Sequence, residues 1–146
     1  MKIALGADSA GYQLKNAVKQ FLDHKDYPYN DFGTFKIDEG DYPEYTYKVA
    51  NAVVKDGYDC GILISETGLG MCIGANKIKN IRAVIVNSIE NAQISRLQFD
   101  ANILCIPAGT MKEARAIDIV ATWLSTSFEG GRFQLFLELM TKFTGF

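Results

Sequence analysis

Apolar runs of strand length alternate along the chain with stretches of helix length, and this alternation limits the fold more than any other feature. The runs are Lys2–Gly6, Tyr29–Gly33, Cys60–Ser65, Arg82–Val86 and Asn102–Ile106. Between them, Ala10–Asp23, Glu44–Lys55, Gly68–Asn76, Ser88–Gln98 and Met111–Leu124 carry apolar residues at spacings of three and four, the period of an amphipathic helix. Gly131–Thr144 repeats that pattern at the end of the chain. A helix between two strands returns the chain to the same end of the sheet, so the strands pair in parallel and both faces are covered. The sequence therefore predicts an α/β fold, a doubly wound (Rossmann-like) five-stranded parallel sheet with helices on both faces. No repeat, low-complexity tract or linker interrupts the 146 residues, which read as one domain spanning 1–146.

Composition excludes several classes of function. With 48% hydrophobic and 22% charged residues, the chain has the balance of a globular protein with a full core. Its net charge is -2, and Lys and Arg are dispersed, which argues against a nucleic-acid groove or an anionic membrane partner. No apolar run approaches the ~20 residues of a membrane-spanning helix. The N-terminal MKIALGADSAG meets charge and glycine too early for a secretory signal. Cys60, Cys72 and Cys105 are odd in number and widely spaced, matching neither a disulfide framework nor a zinc pattern. They are expected to be buried thiols in a reducing cytoplasm.

In open parallel sheets, ligands sit outside the carboxyl ends of the strands. The segments there are Ala7–Gly11, Gly33–Pro43, Ser65–Gly70, Asn87–Ser88 and Pro107–Thr110. In GADSAG (Gly6–Gly11), Asp8 or Ser9 either caps the next helix or hydrogen-bonds a sugar hydroxyl. ETGLGM (Glu66–Met71) is a glycine turn at a helix N-terminus, either a plain tight turn or a cradle of amides for an oxyanion. DYPEY (Asp41–Tyr45) places Tyr42 at a loop end, as a packing lid or as a hydroxyl donor. FEGGR (Phe128–Arg132) delivers one arginine on a flexible turn. After it, Phe133, Phe136, Leu137, Met140 and Phe143 form an apolar stripe expected to dock, and docking on a second subunit would suit it.

Taken in order, GADSAG, DFGT (Asp31–Thr34), DYPEY, TGLGM, GANKIKNIRA (Gly74–Ala83), DAN (Asp100–Asn102) and FEGGR resemble the ribose-5-phosphate isomerase B family, which includes the galactose-6-phosphate isomerase subunits. The resemblance runs through essentially the whole chain. It implies a homodimer or tetramer with active sites shared across the dimer interface and the C-terminal helix at the subunit interface. It also implies aldose-ketose interconversion of a sugar or sugar phosphate through an enediol, with no metal and no cofactor.

Several positions depart from the family pattern. The usual catalytic cysteine is Ser65, the glycine after it is Glu66, and the histidine after Asp8 is Ser9. A glutamate that some members use from the same loop is Met71 here. The ring-opening histidine and its neighbouring asparagine are Gln98 and Phe99. An arginine common after the fifth strand is absent from Pro107-Ala108-Gly109, and the second arginine of the last helix is Phe136. The only histidine is His24, at the end of the first helix.

The expected catalytic residues are accordingly Glu66, Ser65 and Thr67, with Glu66 as the proton-transferring base. Asp8, Ser9, Tyr42, Gly68, Gly70, Asn76, Phe99 and Arg132 are expected to contact substrate. The competing reading is a non-catalytic subunit, or a sugar-binding homologue, that partners a catalytic paralogue.

Overall fold

The computed structural model describes residues 1–146. In chain order the elements are β1 (Ile3–Ala7), α1 (Tyr12–His24), β2 (Tyr29–Asp31), α2 (Tyr42–Lys55), β3 (Cys60–Ser65), α3 (Leu69–Asn76), β4 (Ala83–Ile85), α4 (Ile89–Leu97), β5 (Ile103–Pro107), α5 (Glu113–Ser125) and α6 (Arg132–Thr144). All strands are parallel, in the order β2-β1-β3-β5-β4. The alternation read from the sequence is thus the architecture observed.

The central strands have no polar face, because helices cover both sides. Every residue of β1, β3 and β5 is buried. Leu5, Ile62, Ile64, Leu104 and Ile106 face α1, α4 and α5, while Ala4, Leu63, Ile103 and Cys105 face α2 and α3. Trp123 of α5 is wholly buried in the first layer, and removing such a ring costs about 3–5 kcal/mol. The edge strands β2 and β4 have three residues each, shorter than the sequence suggests. Pairing on one side only lets the ladder loosen. Past Asp31, Phe32 N–H still donates to Leu5 O at 2.8 Å and Ala7 N–H donates to Gly33 O at 2.7 Å.

A buried charge lies beside that loosened edge, and the chain neutralises it. Lys15 of α1 is only 1% exposed, and its Nζ donates to Asp31 Oδ1 at 2.8 Å and to the carbonyl of Thr34. Lys19 reaches the other oxygen of Asp31 at 3.0 Å, and Gly33 N–H donates to Oδ1 at 2.9 Å. DFGT is therefore the anchor that fixes the loop leaving β2. The DAN motif does equivalent work at the start of β5. Asp100 binds Arg82 at 2.9 Å and Arg96 at 3.2 Å, and Asn102 Oδ1 accepts Arg82 N–H at 2.7 Å.

The helix crossover that leaves β1 runs toward β2, whereas the one that leaves β3 runs toward β4. The adjacent strands β1 and β3, registered Ala7 to Ile64, therefore diverge at their carboxyl ends. A crevice opens at such a switch point. The loops bordering it begin at Asp8 and Glu66.

α6 behaves differently from the other helices. None of its residues is buried, and Leu135, Phe136, Met140 and Phe143 are 60%, 57%, 48% and 80% exposed. Of the stripe expected from the sequence, Phe136, Met140 and Phe143 lie exposed, while Phe133 and Leu137 are half-buried.

Candidate active site

Beyond β3 the chain must reverse from strand to helix within three residues, Glu66, Thr67 and Gly68. Gly68 makes this possible with φ +73, a left-handed conformation that suits glycine. Ser65, 5% exposed, turns its Oγ back to accept the Gly68 N–H at 3.1 Å. Thr67 Oγ1 accepts the Leu69 N–H at 3.2 Å. Both hydroxyls are thus held by the turn, and both amides are occupied by them. The next two amides, of Gly70 and Met71, have no acceptor in the chain. Uncapped amides at a helix N-terminus of this kind can hold an anion.

Glu66 is exposed and takes part in no ion pair. Its carboxylate lies over Gly109 in the loop after β5, where a Cβ on the glycine would overlap it. The main chains are tied at the same place, Gly109 N–H donating to Glu66 O at 2.9 Å and Ala108 N–H to Ser65 O at 2.8 Å. Across the crevice, Asp8 Oδ1 accepts the Gly11 N–H at 3.0 Å, which makes Asp8 the group that secures the entrance to α1. Burial pushes the Asp8 carboxyl above its usual range, and the charge of Glu66 adds to that, against the lowering effect of the Gly11 amide. Ser9 is exposed beside it. α2 begins at Tyr42, two residues before the expected Glu44, so Tyr42 lies in the first turn of the helix and not in the loop; its ring rests on Gly70, whose absent Cβ would come within 2.7 Å of Cε2.

Asp8, Ser9, Ser65, Glu66, Thr67, Gly68, Gly70 and Tyr42 therefore gather around the carboxyl ends of β1 and β3. Asn76, Phe99 and Arg132 do not join them within one chain. Asn76 binds the edge of β4 with both ends of its amide, accepting from Ala83 N at 2.8 Å and donating to Ala83 O at 2.9 Å. Phe99 precedes β5, at the opposite end of a five-residue strand, and such a strand spans about 16 Å. Arg132 begins α6 just past the turn where Glu129 N–H donates to Leu97 O, and its guanidinium stacks on Phe133 at 4.9 Å. Phe99 shares a cavity of about 410 Å³ with Leu137 and Met140 of α6. A second cavity of about 440 Å³ lies between α2 and α3, next to Tyr42 and Gly70. Neither is lined by Asp8 or Glu66.

Two residues of this region carry no role in the sequence reading. Gly109 registers there only as the place of a missing arginine, and Lys15 only as one helix position among many. Cys72 differs from expectation as well. Cys60 and Cys105 are buried, and burial pushes Cys60 up to about 12, but Cys72 is half-buried. The Cys105 thiol and the Asn76 amide, the latter at 3.6 Å, donate to its sulfur and lower it to about 7 despite partial burial.

A carboxylate beside unoccupied helix N-terminal amides can move a proton between adjacent carbons while the amides hold the enediolate oxygen. A sequence model of the ribose/galactose isomerase family matches residues 3–139. The chain belongs to the ribose/galactose isomerase family. Membership makes it a sugar phosphate isomerase, an intramolecular oxidoreductase. It is 41% identical to a ribose-5-P isomerase B of Listeria innocua over 97% of this chain and 96% of that one. A D-erythrulose-4-phosphate isomerase of Pectobacterium atrosepticum is 37% identical over 90% of this chain and 87% of that protein. The solved structure of ribose-5-phosphate isomerase B from Clostridium thermocellum superposes with a TM-score of 0.96 at 40% identity, covering 99% of this chain and 98% of that one. No helix is long and apolar enough to cross a membrane.

Proposed function

We propose that the chain is an active aldose-ketose isomerase whose base is Glu66 and whose substrate is shifted from ribose 5-phosphate toward a shorter sugar phosphate. The observation that carries this reading is the placement of Glu66. Its carboxylate stands over Gly109 at the end of β3 with no ion-pair partner, and its charge helps raise the Asp8 carboxyl, in the loop that leads into the free amides of α3. Glu66 takes the proton from the carbon next to the carbonyl. The electron pair moves onto the carbonyl oxygen, which Gly70 and Met71 N–H hold as an enediolate; the proton of the adjacent hydroxyl passes to that oxygen, the adjacent oxygen becomes the new carbonyl, and Glu66 returns its proton to the former carbonyl carbon. Asp8, Ser9 and Tyr42 hold substrate hydroxyls. Ser65 and Thr67 shape the turn.

The shift in substrate follows from the same residues. Gln98 and Phe99 supply no histidine to open a sugar ring. A tetrose 4-phosphate has no free hydroxyl with which to close a furanose, so it needs no ring opening. The Pectobacterium relative named for a four-carbon substrate supports the same direction.

The exposed apolar face of α6 supports a dimer in which Arg132 and Phe99 of one copy complete the crevice of the other. Three free cysteines fit a cytoplasmic location. The test is conversion of tetrose, pentose and hexose phosphates by the purified protein, repeated with Glu66→Gln. Turnover that disappears in the variant supports the reading, and equal turnover rejects Glu66 as base. The second reading, a non-catalytic subunit, draws on Ser65, whose hydroxyl is held by Gly68 where the family places its thiol. No turnover on any substrate, with activity restored by a co-encoded paralogue, would favour it.

A further inference from the structure

The Glu66 carboxylate occupies the volume that a side chain at position 109 would fill. Gly109 N–H to Glu66 O at 2.9 Å and Ala108 N–H to Ser65 O at 2.8 Å hold the two loops together, so a side chain at 109 would have to turn the Glu66 carboxylate out of its present place. A carboxylate at 66 and a glycine at 109 are therefore one arrangement. We propose that Gly109 is the positioning residue for Glu66, and that the carboxylate it admits makes this corner a site that accepts hydroxyls and repels phosphate.

The charges around the crevice support the assignment. Neither Glu66 nor Asp8 forms an ion pair, so two carboxyl groups face the same space without a neutralising cation. Arg115, in the first turn of α5, donates its Nε to Asn87 O at 3.2 Å. The Glu66 charge adds to burial in raising the Asp8 carboxyl. A sugar hydroxyl donates to such oxygens, whereas a phosphate dianion meets like charge at short range. The pair thus sets the direction of the substrate: carbonyl and hydroxyls toward Glu66 and Asp8, phosphate away from them. This rests on the proposed role of Glu66 in the site, but phosphate repulsion needs no turnover and is measured separately.

The experiment compares the full-length parent, Glu66→Gln, Gly109→Ala and Glu66→Gly/Gly109→Arg. Inorganic phosphate is titrated into each and followed by calorimetry. Glu66→Gln is expected to bind phosphate about tenfold tighter than the parent, and the double variant tighter still. Equal affinity throughout, including no binding by any of them, overturns the proposal.

Turnover provides the positioning readout. Gly109→Ala is expected to lower kcat about thirtyfold with little change in KM, because the displaced carboxylate no longer meets the reacting carbon. Adding Glu66→Gln to Gly109→Ala should then lower kcat no further than Glu66→Gln alone. Independent, multiplying losses overturn the positioning role. If Glu66→Gln keeps full turnover yet gains phosphate affinity, the base assignment fails and the repulsion stands.

Discussion

The Oγ of Ser65 accepts the N–H of Gly68 at 3.1 Å, and this bond closes the turn between β3 and α3. A hydroxyl held this way serves the turn as an acceptor. Ser65→Ala is expected to destabilise the protein by about 1 kcal/mol, the usual value of one such bond. Urea unfolding measures that loss. Turnover should fall far less than in Glu66→Gln. An equal fall in the two variants would return Ser65 to the chemistry.

Lys15 and Asp31 form the buried pair that anchors the β2 loop, with side chains 1% and 10% exposed. Lys15→Met leaves Asp31 buried without its main partner and is expected to cost about 3–5 kcal/mol. Burial would raise the Asp31 carboxyl, but Lys15, the Gly33 amide and Lys19 outweigh it and hold it below its ordinary value of 3.8. A depressed carboxyl stabilises the fold above its unfolded value and loses that contribution as pH falls through the folded one. Thermal unfolding below pH 3.8 should therefore show a loss of stability that Asp31→Asn lacks. Parallel acid limbs in the two proteins would assign the acid lability to other carboxyls.

Cys72 should be the first thiol alkylated. Iodoacetamide followed by peptide mass mapping is expected to label it ahead of Cys60 and Cys105, with a rate that rises as pH passes about 7. Cys60, pushed up to about 12, should stay unlabelled until the protein unfolds. Uniform labelling of the three would show that the Cys105 and Asn76 contacts do not persist in solution.

Sharing of sites between copies can be read from mixtures. Glu66→Gln and Arg132→Ala are each expected to be inactive alone, yet mixing them after reversible dissociation should restore about a quarter of parental activity through hybrid dimers. No recovery from a mixture shown by mass spectrometry to contain hybrids would place both residues in the same chain's site. Phe136→Glu should shift the protein to monomer in sedimentation velocity and abolish turnover with it.

The elements that carry the fold were legible because their patterns are local. Cys60–Ser65 is an uninterrupted apolar run because helices cover both of its faces, and the run alone predicts that. Three-residue β2 and β4 were read too long, since their apolar content does not reveal that one edge is unpaired. In the site, Asp8 and Glu66 were found through their place after strands. The partner that orients Glu66 was not, because position 109 is far away in sequence and a glycine leaves no chemical mark. Asn76 read as a ligand contact because an amide looks the same whether it faces a sugar or a peptide group. Only the two bonds to Ala83 distinguish the cases.

Those two bonds bear on how copies of the chain can meet. The outer side of β4 would offer open peptide groups, the template on which a foreign strand adds and sheets grow without limit. With the Asn76 amide seated on Ala83 and the Cys72 sulfur beside it, that row is already filled at its start. Neighbouring molecules are left with helix surfaces on this flank, and helix contacts of fixed geometry close into finite assemblies. An Asn76→Ala protein, with the row uncovered, would be the variant to watch for fibrous aggregation on prolonged incubation.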